Sequence, residues 1–443
     1  MWSKKIRFTR LLITAFIKRY YIFFLASLLL GILSFWLIPY ISFRLPKFRT
    51  THTIGIIGRY NEQNLPDYIV RKISMGLTQI DESGQPFPGI ASSWATSENG
   101  KVWIFNLDPS LTWSDQTPII ASDIQYQYED VQSEIIDDHT IKYTLPETFA
   151  PFAAIMSKPI FKDGKHLGPY KITKVQRQGN ALKLLEFYPT TKVSTLPVLT
   201  YKFYSTQEQA VLGFKLGEVD EIIEMSNPED IGAWPNVELT KQIQKNRYTG
   251  IFFNLEGSVP DLKEKQVRQG LAYAIQDKSF DNPRAISAIP DTNWAYNPNV
   301  KTYDYDKDRA IQFLGTDKNT LKITLTTFNE LLPVAQKIAQ DWLDVNVQTE
   351  ISVVNTIPQT FDVLLATQEV PDDPDQYALW HSTQAGSRLN YQNPKIDKIL
   401  EDGRKIIDQE ERKKIYFDFQ RFLNEDVPVI FLYHPSTYTI QRK

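Results

Sequence analysis

The sequence predicts an α/β body preceded by a membrane-spanning helix. A run of 24 residues without a charged side chain, residues 20–43, lies close to the N-terminus. After it, short runs rich in β-branched and aromatic residues alternate with amphipathic helical patterns. The uncharged run predicts the membrane helix, and the alternation predicts the α/β body.

The uncharged run has the length of a membrane span. As a helix rising about 1.5 Å per residue it reaches about 36 Å, and the hydrocarbon core of a bilayer is roughly 30 Å thick. A cleaved signal peptide has a shorter apolar core and small residues at its cleavage site, whereas this run ends in Trp36, Pro39, Tyr40 and Phe43. We therefore favour an uncleaved anchor over a cleaved signal peptide and over a buried core helix.

Charge asymmetry predicts the orientation of this anchor. Six basic residues and no acidic residue lie within residues 1–43. By the positive-inside rule, residues 1–19 form a cytoplasmic leader, residues 20–43 the transmembrane anchor, and the chain after residue 50 is extracytoplasmic. Subtracting those six from the 49 basic residues leaves 43 against 52 acidic residues, so the body is acidic.

Composition narrows the possible functions. The chain has 443 residues, 42% hydrophobic and 13% aromatic, which suits two or three domains with real cores and excludes a disordered protein. Its near-neutral charge argues against binding to nucleic acid. A sequence without cysteine has no disulfide, thiolate metal site, cysteine nucleophile or lipid-modified cysteine.

The body contains a pattern typical of parallel strands. A helical pattern begins near Asn329 and separates two strand-like runs, which predicts a strand–helix–strand unit over residues 321–354. Two amphipathic helices follow near the C-terminus, and their aromatic stripe is typical of core residues. The predicted strands are residues 101–107, 181–188, 250–255, 321–328, 347–354, 361–367, 429–433 and 438–440.

The motifs of common enzymes are absent from the sequence. The five histidines lack metal-ligand spacing, and there is no phosphate loop, G-x-S-x-G motif or dinucleotide fingerprint. The glycines at 213 and 217 are better explained by a helix that ends at Gly217. We therefore expect a binding protein rather than an enzyme, without a metal or cofactor.

Short motifs in a fixed order carry the most specific information. They lie at residues 75–84, 88–94, 97–100, 103–107, 111–124, 168–172, 210–220, 250–255, 267–275 and 373–433. In this order they resemble the extracytoplasmic solute-binding proteins of oligopeptide and dipeptide ABC importers, family 5. That family usually has glycine where this chain has Gln116, and a turn with positive φ costs more without glycine.

The resemblance implies a type II periplasmic-binding-protein-like fold, in which two lobes joined by crossing strands close over a ligand. We expect the crossings near residues 250–255 and 428–433. Lobe I then comprises residues 50–253 plus 429–443, and lobe II residues 254–428.

The resemblance also implies a site for both charges of a peptide. In peptide-binding members an aspartate pairs with the ligand's amino terminus and an arginine often meets its carboxylate. Asp372, Asp373 and Asp375 are the candidates for the first role and Arg388 for the second. Their placement around Pro374 departs from the family pattern, and Asp375 alternatively only caps the following helix.

Aromatic and amide side chains complete the predicted site. Tyr377, Trp380 and His381 are placed to form a wall of the cleft, although Trp380 alternatively belongs to the core. Asn254 either faces the cleft or stabilises the hinge.

Together these observations predict a membrane-anchored protein that captures a peptide or peptide-like solute and delivers it to an ABC importer. Its expected partners are the permease and ATPase subunits, and the membrane through residues 20–43. Sugars, nickel chelates and opines remain alternative solutes. A tethered surface sensor or interaction protein that keeps the fold without transport is the alternative function.

Overall fold

The computed structural model describes residues 14, 16, 18–23, 25–27, 29–31, 33, 50–162, 164–190, 196–315, 320–384 and 389–443. The chain divides into two compact units, Met1–Thr50 and Thr51–Lys443. The described residues between 14 and 33 are helical. Among all described residues, no helix is long and apolar enough to cross a membrane. The predicted leader and the predicted anchor at 20–43 lie partly outside the described residues.

The described residues of the second unit form four β-sheets. Its strands in chain order are β1 (Thr51–Ile57), β2 (Thr78–Ile80), β3 (Pro86–Pro88), β4 (Ala91–Ser97), β5 (Val102–Leu107), β6 (Gln132–Asp137), β7 (Thr140–Thr144), β8 (Tyr170–Gln178), β9 (Ala181–Pro189), β10 (Val198–Tyr204), β11 (Glu221–Met225), β12 (Val237–Ile243), β13 (Arg247–Phe253), β14 (Leu321–Thr327), β15 (Val347–Val353), β16 (Val363–Glu369), β17 (Val429–Tyr433) and β18 (Ser436–Arg442).

Its α-helices are mostly short. In chain order they are α1 (Asp67–Val70), α2 (Phe152–Ile155), α3 (Gln207–Lys215), α4 (Lys265–Ala274), α5 (Lys307–Leu314), α6 (Leu332–Leu343), α7 (Tyr377–Trp380), α8 (Pro394–Lys405) and α9 (Gln409–Asp426). Short 3₁₀ helices span Glu98–Gly100, Ala121–Asp123, Glu229–Ala233, Pro260–Lys263 and Asn329–Leu331.

Two large sheets organise the unit. The first sheet has the strand order β12-β18-β11-β1-β10-β9-β8, and the second has the order β15-β14-β16-β13-β17. A four-stranded sheet, β4-β5-β7-β6, and the β2–β3 hairpin complete the strands. Helices and parallel strand pairs in both large sheets confirm the predicted α/β class.

The predicted strand–helix–strand unit is present. β14 and β15 pair in parallel, and α6 connects them as the crossover helix. The inward face of α6 is apolar, and Trp342 is fully buried with its indole Nε1 donating to the carbonyl of Leu271 at 3.1 Å. An indole that is both buried and hydrogen-bonded fixes the helix against the sheet.

Both faces of the second sheet are covered. Ile251 and Phe253 of β13 pack in one cluster with Trp342, while Tyr248 and Phe252 pack in another with the helices α8 and α9. This alternation follows from the two-residue period of a strand. In the aromatic stripe of α9, Tyr416 and Phe419 are buried, as predicted for core residues, and Phe422 is half-buried against the same core.

Candidate functional site

The chain passes between the two large sheets twice. It leaves the first sheet between β12 and β13 and returns to it between β17 and β18. The two crossing segments, residues 244–246 and 434–435, contact each other: the amide of Gln244 donates to the carbonyl of Pro435 at 2.9 Å, and Nδ1 of His434 donates to the carbonyl of Arg247 at 2.7 Å. They therefore form a paired connection of the kind a hinge requires.

His434 is buried in this connection. It is 3% exposed, and burial lowers the pKa of its imidazole because the charged form loses hydration. Its carbonyl partner can only accept, so a neutral ring with the proton on Nδ1 satisfies this bond.

A cavity next to the crossing segments is lined both by residues that precede the first crossing, 244–246, and by residues that follow it. It has a volume of about 330 Å³ and is here called the lysine cavity. Lys245 and Asn246 line it from the crossing, Asp81 and Glu82 from the β2–β3 hairpin, and Asp372 from the loop after β16. Its size lies at the lower end of the roughly 300–1,000 Å³ typical of small-ligand pockets.

A second cavity lies on the other side of the β2–β3 hairpin. It has a volume of about 370 Å³ and is here called the tryptophan cavity, because Trp94, Trp103 and Trp294 line it. Asp373 and Arg412 also line it, and these two residues pair with each other. It offers aromatic surface beside a neutralised pair of charges.

The hairpin turn at Gly84 separates the two cavities and lines both. Its φ is +82°, and a Cβ there would lie 2.2 Å from the carbonyl oxygen of Asp372, so only glycine fits. The carbonyl of Ser83 accepts from the amide of Trp294 at 3.1 Å, and the side chain of Asn293 donates to the Asp372 carbonyl at 2.9 Å. The turn therefore connects the hairpin to the part of the chain that follows the first crossing.

A further contact near α8 joins residues before the first crossing to residues after it. The carbonyl of Arg404 accepts from the amide of Ala150 at 2.7 Å. The Arg404 guanidinium lies 5.4 Å from the ring centroid of Phe149 and 3.7 Å from that of Tyr377, which favours cation–π attraction.

The three predicted aspartates have different surroundings. Asp373 forms a bidentate ion pair with Arg412, with distances of 2.9 and 2.6 Å. Asp375 accepts from Nε of Arg404 at 2.8 Å and from the amide of Tyr377 at 3.1 Å, and it lies one residue before Gln376, the N-cap of α7. Asp372 lines the lysine cavity, and desolvation raises the pKa of its carboxyl group.

The other predicted residues lie around α7. Tyr377 stacks on His381 with ring centroids 4.1 Å apart. Nδ1 of His381 lies 2.8 Å from the hydroxyl of Thr383. Trp380 is 3% exposed and packs in the core. Arg388 lies outside the described residues.

Asn254 stabilises a loop connection. Its amide nitrogen donates to the carbonyl of Phe361 at 2.8 Å, and its amide oxygen accepts from Asn390 at 2.8 Å. These contacts lie at the end of β13 away from the crossing segments, and both roles predicted for Asn254 stay predictions.

Sequence reasoning missed several cavity residues. Lys245 lies at the crossing, Trp294 lies in a stretch without a predicted element, and Arg412 lies within a matched C-terminal motif without a role assigned to it. An available signal was the turn sequence Asp81-Glu-Ser-Gly84, because a glycine that follows Asp and Ser is typical of a tight turn with positive φ.

Comparison with known proteins identifies the family. The model of the bacterial extracellular solute-binding proteins, family 5 middle region, matches residues 85–388. The chain belongs to the bacterial extracellular solute-binding proteins of family 5. The dipeptide-binding protein of Escherichia coli is 22% identical over 484 aligned residues, covering 89% of this chain and 87% of that protein.

Solved structures of other proteins share the fold. The protein NikZ of Campylobacter jejuni, in complex with Ni(L-His), has a TM-score of 0.74 at 22% identity and covers 89% of this chain and 94% of its own. The oligopeptide-binding protein AppA of Bacillus subtilis, in complex with a nonapeptide, has a TM-score of 0.69 at 18% identity with the same coverage. The chain therefore has the two-lobed periplasmic-binding-protein-like fold.

Within this family 5 fold the exact lobe boundaries stay a prediction. Hydrogen bonding places β13 and β17 in the second sheet, next to each other, although the predicted boundaries count them with lobe I.

Proposed function

We propose that this protein captures a peptide or peptide-like solute between its two lobes and delivers it to an ABC importer. The observation that carries the proposal is the pair of cavities on either side of Gly84, each lined by residues from both lobes. The names of the relatives support it, because they include a dipeptide-binding protein and an oligopeptide-binding protein.

The lysine cavity supplies charges that suit a zwitterionic solute. Asp372 is our candidate for the contact with a ligand ammonium group, because its raised pKa reports a carboxylate that has lost hydration without full compensation. Lys245 is the candidate for the ligand carboxylate, and in the described structure its Nζ pairs with Asp291 at 2.8 Å. Asp373, paired with Arg412, would shape the tryptophan cavity and contact a side chain.

Ligand-induced stabilisation tests the capture of peptides. Full-length protein is heated with dipeptides, tripeptides and pentapeptides, with a sugar set and Ni(L-His) as controls. A ligand at 100 times its dissociation constant adds about 2.7 kcal/mol to the free energy of unfolding, which is a clear melting shift. A shift with Ni(L-His) or sugars and none with peptides would refute the peptide proposal.

We also propose that residues 20–43 anchor the protein in the cell membrane, with the N-terminus in the cytoplasm and the main body outside. The sequence pattern supports this: 24 residues without a charge follow a basic leader. Flotation with vesicles, compared between the full chain and a variant lacking residues 2–43, tests the anchor. Co-purification with permease and ATPase subunits tests the partners.

A further inference from the structure

The ends of four strands meet at one edge of the first sheet. β1 and β11 run parallel, β18 runs antiparallel to β11, and β12 runs antiparallel to β18. The starts of β1, β11 and β12 therefore share an edge with the end of β18. Hydrogen bonds trace this edge: the amide of Asp220 donates to the carbonyl of Thr53 at 2.8 Å, and the amide of Arg442 donates to the carbonyl of Asp220 at 2.9 Å.

Large apolar side chains are exposed at this edge. α3 ends at Lys215, and Leu212 and Leu216 are 56% and 68% exposed. Four residues apart at a helix end, they lie on the same side. Trp234, just before β12, is 38% exposed, and Nζ of Lys215 lies 6.0 Å from its ring centroid.

Basic side chains surround this apolar surface. Nζ of Lys443 donates to the carbonyl of Pro235 at 3.2 Å, beside Trp234. Arg442 lies with its guanidinium 4.5 Å from the ring centroid of Phe214 and hydrogen-bonds the Phe214 carbonyl. We call the group Leu212, Lys215, Leu216, Trp234, Arg442 and Lys443 the start-edge patch.

Three acidic groups near this edge have partners. Glu218 lies 3.5 Å from Nζ of Lys202. The Asp220 carboxylate accepts from the amide of Thr53 at 2.8 Å. Glu221 lies 2.7 Å from Nε2 of His52, and Glu238 near the start of β12 is an exposed acidic side chain.

The number of residues between the uncharged run and β1 sets an upper limit on the distance between them. Seven residues, 44–50, separate the uncharged run from β1, and they include Arg44, Lys47 and Arg49. A fully extended chain spans at most about 3.6 Å per residue, so seven residues reach about 25 Å. If residues 20–43 span the bilayer, β1 begins within that distance of the span.

We propose that the start-edge patch rests on the headgroup layer of an anionic lipid bilayer. Leucine and tryptophan side chains enter the boundary between headgroups and acyl chains, and lysine and arginine bind the lipid phosphates. The inference rests on the proposed anchor. It fixes one edge of lobe I on the membrane and leaves the crossing segments, on the far side of β12, free to move.

The natural chain has no cysteine, so a single engineered cysteine is the only thiol. Full-length Leu216→Cys carries an environment-sensitive fluorophore in nanodiscs containing phosphatidylglycerol. The matched control is Ile243→Cys, because Ile243 is 41% exposed and ends β12 about 20 Å from the patch edge at about 3.4 Å per residue. A second labelled variant, Leu212→Cys, shows whether the result at position 216 also holds at another position of the patch.

We expect a blue-shifted emission and loss of iodide quenching at positions 212 and 216 but not at 243. Replacing the anionic lipid by phosphatidylcholine should restore part of the quenching. Equal quenching at 216 and 243, in protein that remains in the nanodisc, would overturn the inference and leave the anchor intact. Protection that appears only with importer subunits would assign the edge to a protein and also overturn it.

Protein that never enters the nanodisc would overturn this inference and the anchor together. Peptide-induced melting shifts report on solute capture separately, so the two proposals fail in distinguishable ways.

Discussion

Asp373 and Arg412 form a bidentate ion pair in the wall of the tryptophan cavity. Nη1 and Nη2 lie 2.9 and 2.6 Å from the two carboxylate oxygens, and the side chains of Arg412 and Asp373 are only 7% and 13% exposed. Burial disfavours the charged guanidinium, but the Asp373 carboxylate outweighs this and raises the pKa of Arg412. The pair connects the loop after β16 to α9.

We expect Asp373→Ala to destabilise the protein strongly. It leaves the buried Arg412 without its counter-charge, which typically costs about 3–5 kcal/mol. Asp402→Ala is the matched control, because Asp402 pairs with Lys398 on an exposed helix surface, where an ion pair contributes about 1 kcal/mol or less. Urea unfolding measures both. Similar losses in the two variants would contradict a structural role for the Asp373 pair.

Gly84→Ala should impair ligand binding by hindering closure of the lobes. The added Cβ would collide with the Asp372 carbonyl, and the positive φ adds strain of roughly 1 kcal/mol. Gly179→Ala is the control: it has a φ of +61°, and no heavy atom of the described residues lies within 4 Å of its Cβ position. In both variants an alanine must adopt a positive φ. A larger loss of peptide affinity in Gly84→Ala than in Gly179→Ala, measured by calorimetry, would therefore be due to the collision of the Cβ with the Asp372 carbonyl. Equal affinities would argue against this closed contact in the liganded protein.

His434 should make stability depend on pH. Burial lowers the pKa of His434 below its usual 6.5, so the unfolded chain binds more protons than the folded chain between the two values. The contribution of the neutral, buried ring to the free energy of unfolding is therefore complete above about pH 6.5 and decreases as the pH falls below it. Urea midpoints at pH 7.5, 6.0 and 5.0 should decline less steeply in His434→Gln.

The same substitution at His139, in the turn between β6 and β7, is the control for His434. It should keep the steep decline. His166 is present in both variants, and burial lowers the pKa of that ring as well, so it contributes equally to the two curves. A slope that His434→Gln leaves unchanged would show that the crossing does not respond to pH through this ring.

The sequence was most informative where the chain has a strong local pattern. The period of α6 and the β-branched runs of β14 and β15 predict a unit that the structure confirms. The buried face of α6 contains Ala335, Ile338 and Trp342, at the spacing that the sequence shows. The helix before Gly217 also ends as predicted, with φ at +77° for that glycine. At Gln116 the turn keeps a positive φ of +70° without glycine, so its hydrogen bonds outweigh the local strain.

The site was harder to predict because it depends on contacts between distant segments. Lys245, Gly84 and Asp372 line one cavity from three separate loops, and their spacing in sequence carries no sign of that. β1 and β6 also lacked a prediction. β1 owes its position to strands more than a hundred residues away, and β6 has every residue exposed, so it shows no alternation.

Asp372→Asn should weaken the binding of peptides that have a free amino terminus. Desolvation raises the pKa of Asp372, so the charged carboxylate carries a free-energy cost in the folded protein, and a ligand ammonium group would offset that cost. A hydrogen bond to a charged partner contributes about 1.5–3 kcal/mol, so affinity should fall roughly tenfold to a hundredfold. Without ligand, the variant should be as stable as the parent or slightly more stable at pH 7, since the penalty of the raised pKa is fully present there and disappears as the pH falls.

A double comparison separates this contact from a general change in the cavity. Parent and Asp372→Asn proteins are titrated calorimetrically with the same peptide carrying either a free or an acetylated amino terminus. Acetylation removes the ammonium charge, so the two proteins should bind the acetylated peptide alike, while only the parent prefers the free one. If the preference for the free amino terminus survives in Asp372→Asn, another acidic residue of the lysine cavity, Asp81 or Glu82, makes the contact, because each faces the same space from the opposite lobe.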